Sequence, residues 1–315
     1  MRFHLDFIVP KPDFSISHHQ RSFLIGSCFS SNIAFKLKEH KFPTLEYPGG
    51  ILFNPISIAN SLFNCLAESE ADPKFIVQRD QSNFSFLHHS SVQASSQKEL
   101  IELILTQNKK AKEFLKAADF LFITFGSAYY YQHLQLKTAV ANCHKQDATL
   151  FEKRLLSVNE IVASYKLLLS QLKQINPLIK VIFTVSPVKY IKDGLIENNR
   201  SKSTLVLAIH ELVASQQNVY YFPAFELVND DLRDYRFYKE DLAHPNQQAI
   251  DYVWRKFSDS YFSFQTLELN SKVLKLKQAF NHRLLHNNSA EASKLNEFIE
   301  KQKQELKKID PDFPL

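Results

Sequence analysis

Three cysteines in 315 residues (Cys28, Cys65 and Cys143) form no even-numbered disulfide framework, and none stands in a Cys-x-x-Cys pair. That spacing argues against a structural zinc site and for reduced thiols. No apolar run approaches the roughly 18 residues of a membrane span. The first residues, Met1 to Asp6, lack a cationic start followed by an apolar stretch. A secretory signal is therefore not expected, and a cytoplasmic location is. The charge is only mildly positive, +5, and much of the excess lies in the last fifty residues, where lysines such as Lys272, Lys301 and Lys308 alternate with glutamates. No basic patch interleaved with aromatics appears, which excludes nucleic acid as the expected partner; no membrane is expected either. Glycine is also scarce. The chain has five, and Gly26, Gly49, Gly50 and Gly126 fall where extended segments give way to loops.

What the chain has in quantity is aromatic: 27 phenylalanines and 12 tyrosines, with 44% apolar and 23% charged residues overall. This composition predicts a globular protein with an aromatic-rich core. Short apolar runs alternate with helical periodicity through the first 260 residues or so. Strands are expected at Ser22–Ser27, Thr44–Tyr47, Asp119–Phe125, Lys180–Val185 and Val219–Phe222. Helices are expected to about His40, then at Ile56–Ala67, Gln97–Ala117, Val158–Ile175, Ser201–Ser215 and Asn246–Phe262. Lys74–Arg79 and Phe84–His88 read as an inserted hairpin, and Lys137–Asn142 as a further extended segment. Strands separated by helices of this length imply parallel pairing through right-handed crossovers. Residues 1–263 are thus expected to form an α/β domain, and residues 264–315 a C-terminal helical extension.

One stretch carries chemistry. In Phe23-Leu24-Ile25-Gly26-Ser27-Cys28-Phe29 a strand ends on a glycine and hands a serine to a helix start. Backbone N–H groups there can stabilise developing negative charge. A serine at such a turn is in many proteins only a helix N-cap. As a nucleophile it needs a base and a group that orients the base. Asp241 and His244 stand three apart in a loop entering the last helix of the sheet domain, after the last expected strand. Asp-x-x-His alone is a weak signal, with about one chance match expected in a chain with 12 histidines; its position on the Ser27 edge gives it weight. Cys28 is a rival nucleophile, read here as a small buried hydrophobe. Adjacent Cys143 and His144, with His88 and His89, lack four-ligand metal spacing, so no metal and no cofactor is expected. Tyr129, Tyr130 and Tyr131 are candidates for lining a carbohydrate or acyl pocket, or for packing against the hairpin. The run Arg233–Tyr238, with Arg236, is expected to frame the Asp-His loop.

Several segments in this order resemble the GSCFA family: Gly26-Ser27-Cys28-Phe29, Pro48-Gly49-Gly50-Ile51-Leu52-Phe53-Asn54-Pro55, Ala141-Asn142-Cys143-His144-Lys145, Phe183-Thr184-Val185-Ser186-Pro187-Val188, and Arg233-Asp234-Tyr235-Arg236-Phe237-Tyr238 running into Asp241-x-x-His244-Pro245. Asp193-Gly194 with Glu197-Asn198 and Ser201-Lys202 are similar too. The resemblance covers about residues 3 to 260. That family is similar to the SGNH (GDSL-like) hydrolases, which implies a flavodoxin-like three-layer α/β/α sandwich with a mostly parallel sheet. The resemblance further implies Ser27 as nucleophile, His244 as general base and Asp241 as its orienting carboxylate. The N–H of Ser27 and that of Gly49 or Gly50 are the implied oxyanion donors. SGNH enzymes draw a further donor from the asparagine of a Gly-x-Asn; this chain has Gly126-Ser127-Ala128 there. Ser127 or Asn142 is the expected substitute, and Tyr129, His144 and Arg236 are expected substrate contacts. The implied activity is removal of a short acyl group, such as acetyl, from a carbohydrate or small ester. Acyl transfer by the same triad, or a silent carbohydrate-binding module, is the alternative.

Overall fold

The computed structural model describes residues 5–281 and 289–313. Five strands form the main sheet: β1 (Ser22–Gly26), β2 (Thr44–Glu46), β3 (Phe120–Phe125), β4 (Lys180–Val185) and β5 (Val219–Tyr221). All pair in parallel, in the spatial order β5-β4-β3-β1-β2. Read from the other edge this is 2-1-3-4-5, the flavodoxin-like winding, whose order reverses between β1 and β3. The expected fold class is therefore present.

The helices are α1 (Cys28–Glu39), α2 (Pro55–Ala67), α3 (Gln97–Lys116), α4 (Val158–Ile175), α5 (Gly194–Ser215) and α6 (Gln247–Tyr261). Strand alternation assigns them to two faces. Phe23, Ile25, Leu121, Ile123, Phe125, Val181 and Phe183 join residues of α2, α3, α4 and α5 in one core. Leu24, Phe120, Phe122 and Ile182 join α1 and α6 in the other. Because both faces are covered, β1 and β3 are buried along their whole length.

An aromatic triad lies under the strand ends. Phe183 meets Phe125 and Tyr165, each at 5.5 Å between ring centroids, and the Tyr165 hydroxyl donates to the Pro55 carbonyl at 3.0 Å. Phe183→Ala is expected to cost about 3–5 kcal/mol, because the rings around the gap cannot collapse into it. Urea unfolding measures this; a cost below about 1 kcal/mol would show that the core refills.

Two small antiparallel sheets are added. Residues Ile76–Arg79 and Ser82–Ser85 form the expected hairpin, with a tighter turn at Asp80-Gln81, and Gln93–Ala94 adds a third strand. Tyr129–His133 is the central strand of the second sheet, between Thr138–Val140 and Phe151–Leu155. Of these three, the sequence marks only Thr138–Val140, inside the expected extended segment Lys137–Asn142; Tyr-Tyr-Tyr-Gln-His does not alternate. Beyond the sheet domain, α7 (Phe264–Asn281) and α8 (Ser289–Ile309) share an apolar cluster that includes Leu269, Val273, Ile299, Leu306 and Phe313. The part of the predicted helical extension at 282–288 lies outside the described residues. His18 joins α7 to the domain: it stacks on Phe42 at 4.2 Å, and its Nε2 lies 3.0 Å from Asn270 Oδ1.

Candidate active site

Ser27 follows β1 at the switch point of the sheet and caps α1, its Oγ accepting the Phe29 N–H at 3.4 Å. A doubly wound sheet opens a crevice at that point, outside the carboxyl ends of its strands. Gly26 makes the close approach possible. It has φ of +145°, and a Cβ there would lie 2.3 Å from the Thr124 carbonyl oxygen.

Asp241 and His244 come from the loop between β5 and α6. Asp241 Oδ1 accepts the N–H groups of Ala243 and His244, each at 2.9 Å, while Oδ2 lies 2.7 Å from His244 Nδ1. The His244 N–H, then that of Ala243, then the imidazole hold the Asp241 carboxyl down at about 2. Leu242 takes a left-handed conformation, φ +55°, so that the loop can fold back on this carboxylate. Two backbone bonds latch it: Lys239 N–H to His244 O at 2.7 Å, and Lys189 N–H to Ala243 O at 3.0 Å. With the carboxylate on Nδ1, the neutral imidazole presents Nε2 as an acceptor.

Ser27 and His244 line one cleft of about 230 Å³, whose walls include Cys28, Ile51, Phe53, Ser186 and Lys189. No hydrogen bond joins Ser27 to His244 among the described residues. The serine Oγ serves α1 instead, and must turn out of that cap to meet the imidazole. Burial raises the pKa of the neighbouring Cys28 thiol, so the thiolate needed for nucleophilic attack is disfavoured.

Several of the expected oxyanion donors already have protein acceptors. The Ser27 N–H donates to Thr124 O at 3.1 Å, and the Gly50 N–H to Tyr47 O at 3.3 Å. Gly49 and Gly50 do not line the cleft; Ile51 and Phe53 of the same loop do, and no acceptor among the described residues takes their N–H groups. Ser127 lines the cleft, but its N–H donates to Phe53 O at 3.0 Å, and its Oγ accepts the Tyr129 N–H at 3.0 Å. Asn142 Oδ1 accepts the His144 N–H at 2.8 Å, closing a turn outside the cleft.

The expected substrate contacts also move. Tyr129 bonds Glu197 through its hydroxyl, under the Lys153 ammonium. His144 is buried against Phe84, with Nε2 on the Ser85 carbonyl at 2.8 Å. Arg236 is exposed and pairs with Asp234 at 2.9 Å. None of the three lines the cleft.

Several residues were not singled out as candidate site residues. Ser186 and Lys189 form one wall of the cleft, and the Lys189 ammonium lies 4.0 and 3.7 Å from the ring centroids of Tyr235 and Tyr238. Lys202 of α5 is buried beneath the floor, its Nζ 2.6 Å from both Gly126 O and Ser186 O. Burial pulls its ammonium down to about 7. Its register was the available signal: Asn198, Lys202, Leu205, Ile209 and Leu212 share the buried face of α5.

The strand order defines a flavodoxin-like α/β protein, in which Ser27 and His244 line one cleft and Asp241 bonds His244. Residues 21–257 match the model of the GSCFA family, and the chain belongs to that family. Among curated proteins, none matches. Among solved structures, the chain is similar to a carbohydrate esterase family 3 protein from Talaromyces cellulolyticus, with 9% identity, TM-score 0.38, and 80% of this chain and 98% of that one covered. It is also similar to an acetyl xylan esterase from the rumen bacterium Butyrivibrio proteoclasticus, with 10% identity, TM-score 0.39, and 79% and 64% covered. A family two carbohydrate esterase from Clostridium thermocellum gives 10% identity, TM-score 0.36, and 79% and 65% covered. The fold itself is given by the parallel strand order 2-1-3-4-5. Among the described residues, no helix is long and apolar enough to cross a membrane.

Proposed function

We propose that this protein is a serine esterase that removes a short acyl group from a carbohydrate or another small ester. The observation that carries the reading is the Asp241–His244 pair, 2.7 Å apart, opening onto the cleft that Ser27 lines. Ser27 Oγ attacks the acyl carbon while His244 Nε2 takes its proton, and Asp241 stabilises the imidazolium that forms. The tetrahedral oxyanion collapses, the alcohol leaves with the proton from His244, and the acyl group stays on Ser27. Water then attacks with the same base, releasing the carboxylic acid and restoring the serine.

A cleft of about 230 Å³ walled by Ile51, Phe53 and Val188 suits an acetyl-sized group; drug-sized ligands occupy roughly 300–1,000 Å³. A second cavity, more polar, shares Lys189 with the cleft and is lined by Asn229, Arg233 and Tyr235; the alcohol portion fits there. The test is acetate release from acetylated xylan and from p-nitrophenyl acetate. Tyr235→Ala is expected to raise KM about tenfold for the carbohydrate ester and to leave the small ester unchanged, as for loss of one aromatic contact of roughly 1.4 kcal/mol. Absence of acetate from both substrates would overturn the esterase reading. Acetyl groups appearing on an added sugar would reassign the protein to acyl transfer.

A further inference from the structure

The Lys202 ammonium has an arrangement the triad does not explain. It is a buried cation, it has no carboxylate within 4 Å among the described residues, and both its hydrogen bonds go to carbonyls at strand ends beneath the cleft. Removing a lysine from water without a counter-ion is costly, and a residue serving only to fill the core would be apolar. The next residue back strengthens the geometry: Ser201 Oγ accepts the Ala128 N–H at 2.8 Å and lies 3.2 Å from Ser127 Oγ. One turn of α5 therefore holds both the loop after β3, where Gly126 and Ser127 line the cleft, and Ser186 after β4. This loop stands where the SGNH pattern has its asparagine.

We propose that Lys202 is a positioning residue for ester cleavage: it turns the Gly126 and Ser186 carbonyls down beneath the cleft floor and offsets their dipoles, so that negative charge can develop above them. The inference rests on the esterase reading. Two carbonyl oxygens facing a nascent oxyanion would destabilise it, whereas a fixed, buried cation behind them acts on that charge at short range. Lys202 acts through those two carbonyls and does not reach the substrate. Cys28 of α1 is the titratable group whose field reaches Lys202, and the Phe225 ring centroid lies 5.9 Å from Nζ. Lys189 and His244 stand on the cleft wall above.

Because burial weakens the ammonium, the proposal gives a pH signature that a structural prop would not. The experiment is kcat and KM for p-nitrophenyl acetate from pH 6 to 9 with the wild type, Lys202→Met and Lys202→Arg. In the wild type kcat is expected to fall on the alkaline side as Lys202 loses its proton. Lys202→Met is expected to lose about 10- to 100-fold in kcat, with KM within twofold and no alkaline fall, somewhat less than the loss of a direct oxyanion donor. Lys202→Arg keeps a permanent charge, and is expected to stay within tenfold of wild type with the alkaline fall removed. A wild-type profile flat to pH 9, or the same alkaline fall persisting in either variant, would overturn the proposal. If Lys202→Met does not fold, the wild-type and Lys202→Arg profiles decide it. A wild type with no turnover at any pH sinks the esterase reading itself and takes this inference with it; an active wild type without the alkaline fall sinks only the role of Lys202.

Discussion

Ser27→Ala and His244→Gln are each expected to lower ester turnover by roughly 10⁴-fold or more while leaving the fold intact. Ser27 sits in a tight turn: it is buried, its N–H is held by Thr124, and its Oγ bonds one helix amide at 3.4 Å. Alanine keeps the backbone bond and loses only the cap, which costs about 1 kcal/mol. His244 is partly exposed on a loop latched by backbone bonds, so glutamine removes the base without opening a cavity. The two losses are expected to be non-additive, because each variant disables the same proton transfer. Burst kinetics with p-nitrophenyl acetate and a circular dichroism melt of each variant check both halves of the prediction. A variant that melts like wild type and still turns over within tenfold would remove that residue from the chemistry.

Acid is expected to unfold the protein well above the range in which carboxylates titrate. His18 and His88 are buried, and burial holds each imidazole at about 4, against 6.5 in the open chain. Burial also lowers the pKa of His40 and His144. Between pH 6.5 and 4 the unfolded chain binds protons at these rings and the folded chain does not, so stability is lost as pH falls through that window. Below about 4 both states are protonated and the loss is complete. At about 1.4 kcal/mol per pK unit, His18 and His88 together account for roughly 6–7 kcal/mol, a large part of the stability of a typical domain. Urea midpoints at pH 7, 6 and 5 measure the slope. His18→Gln, which can keep a hydrogen bond to Asn270, is expected to flatten it, as is His88→Gln; slopes unchanged by both would show that these rings do not control acid unfolding.

The sheet was legible because its strands are buried on both faces and therefore read as unbroken apolar runs, as in Phe120–Phe125. Ser27 and the Asp241–His244 pair were legible because each stands at an element boundary. The second small sheet was legible only at Thr138–Val140, since Tyr129–His133 lacks alternation and Phe151–Leu155 carries three polar residues in its middle. The oxyanion donors were not legible, for another reason. An N–H group in the sequence carries no sign of its acceptor, and in the fold Thr124 and Tyr47 take those of Ser27 and Gly50. His144 was expected at the substrate because nothing in the local sequence shows the hairpin, distant in the chain, whose Phe84 and Ser85 cover it. Lys202 stood in plain view on an apolar helical stripe, and only the packing shows that its charge ends under the cleft.

In the proposed mechanism Ser27 is a nucleophile activated by His244. The most direct measurement is labelling with a fluorophosphonate, followed by peptide mass spectrometry. A single adduct on Ser27 is expected, lost in Ser27→Ala and slowed by at least about a hundredfold in His244→Gln. An unlabelled Ser27 in folded protein, or labelling equally fast without His244, would contradict it.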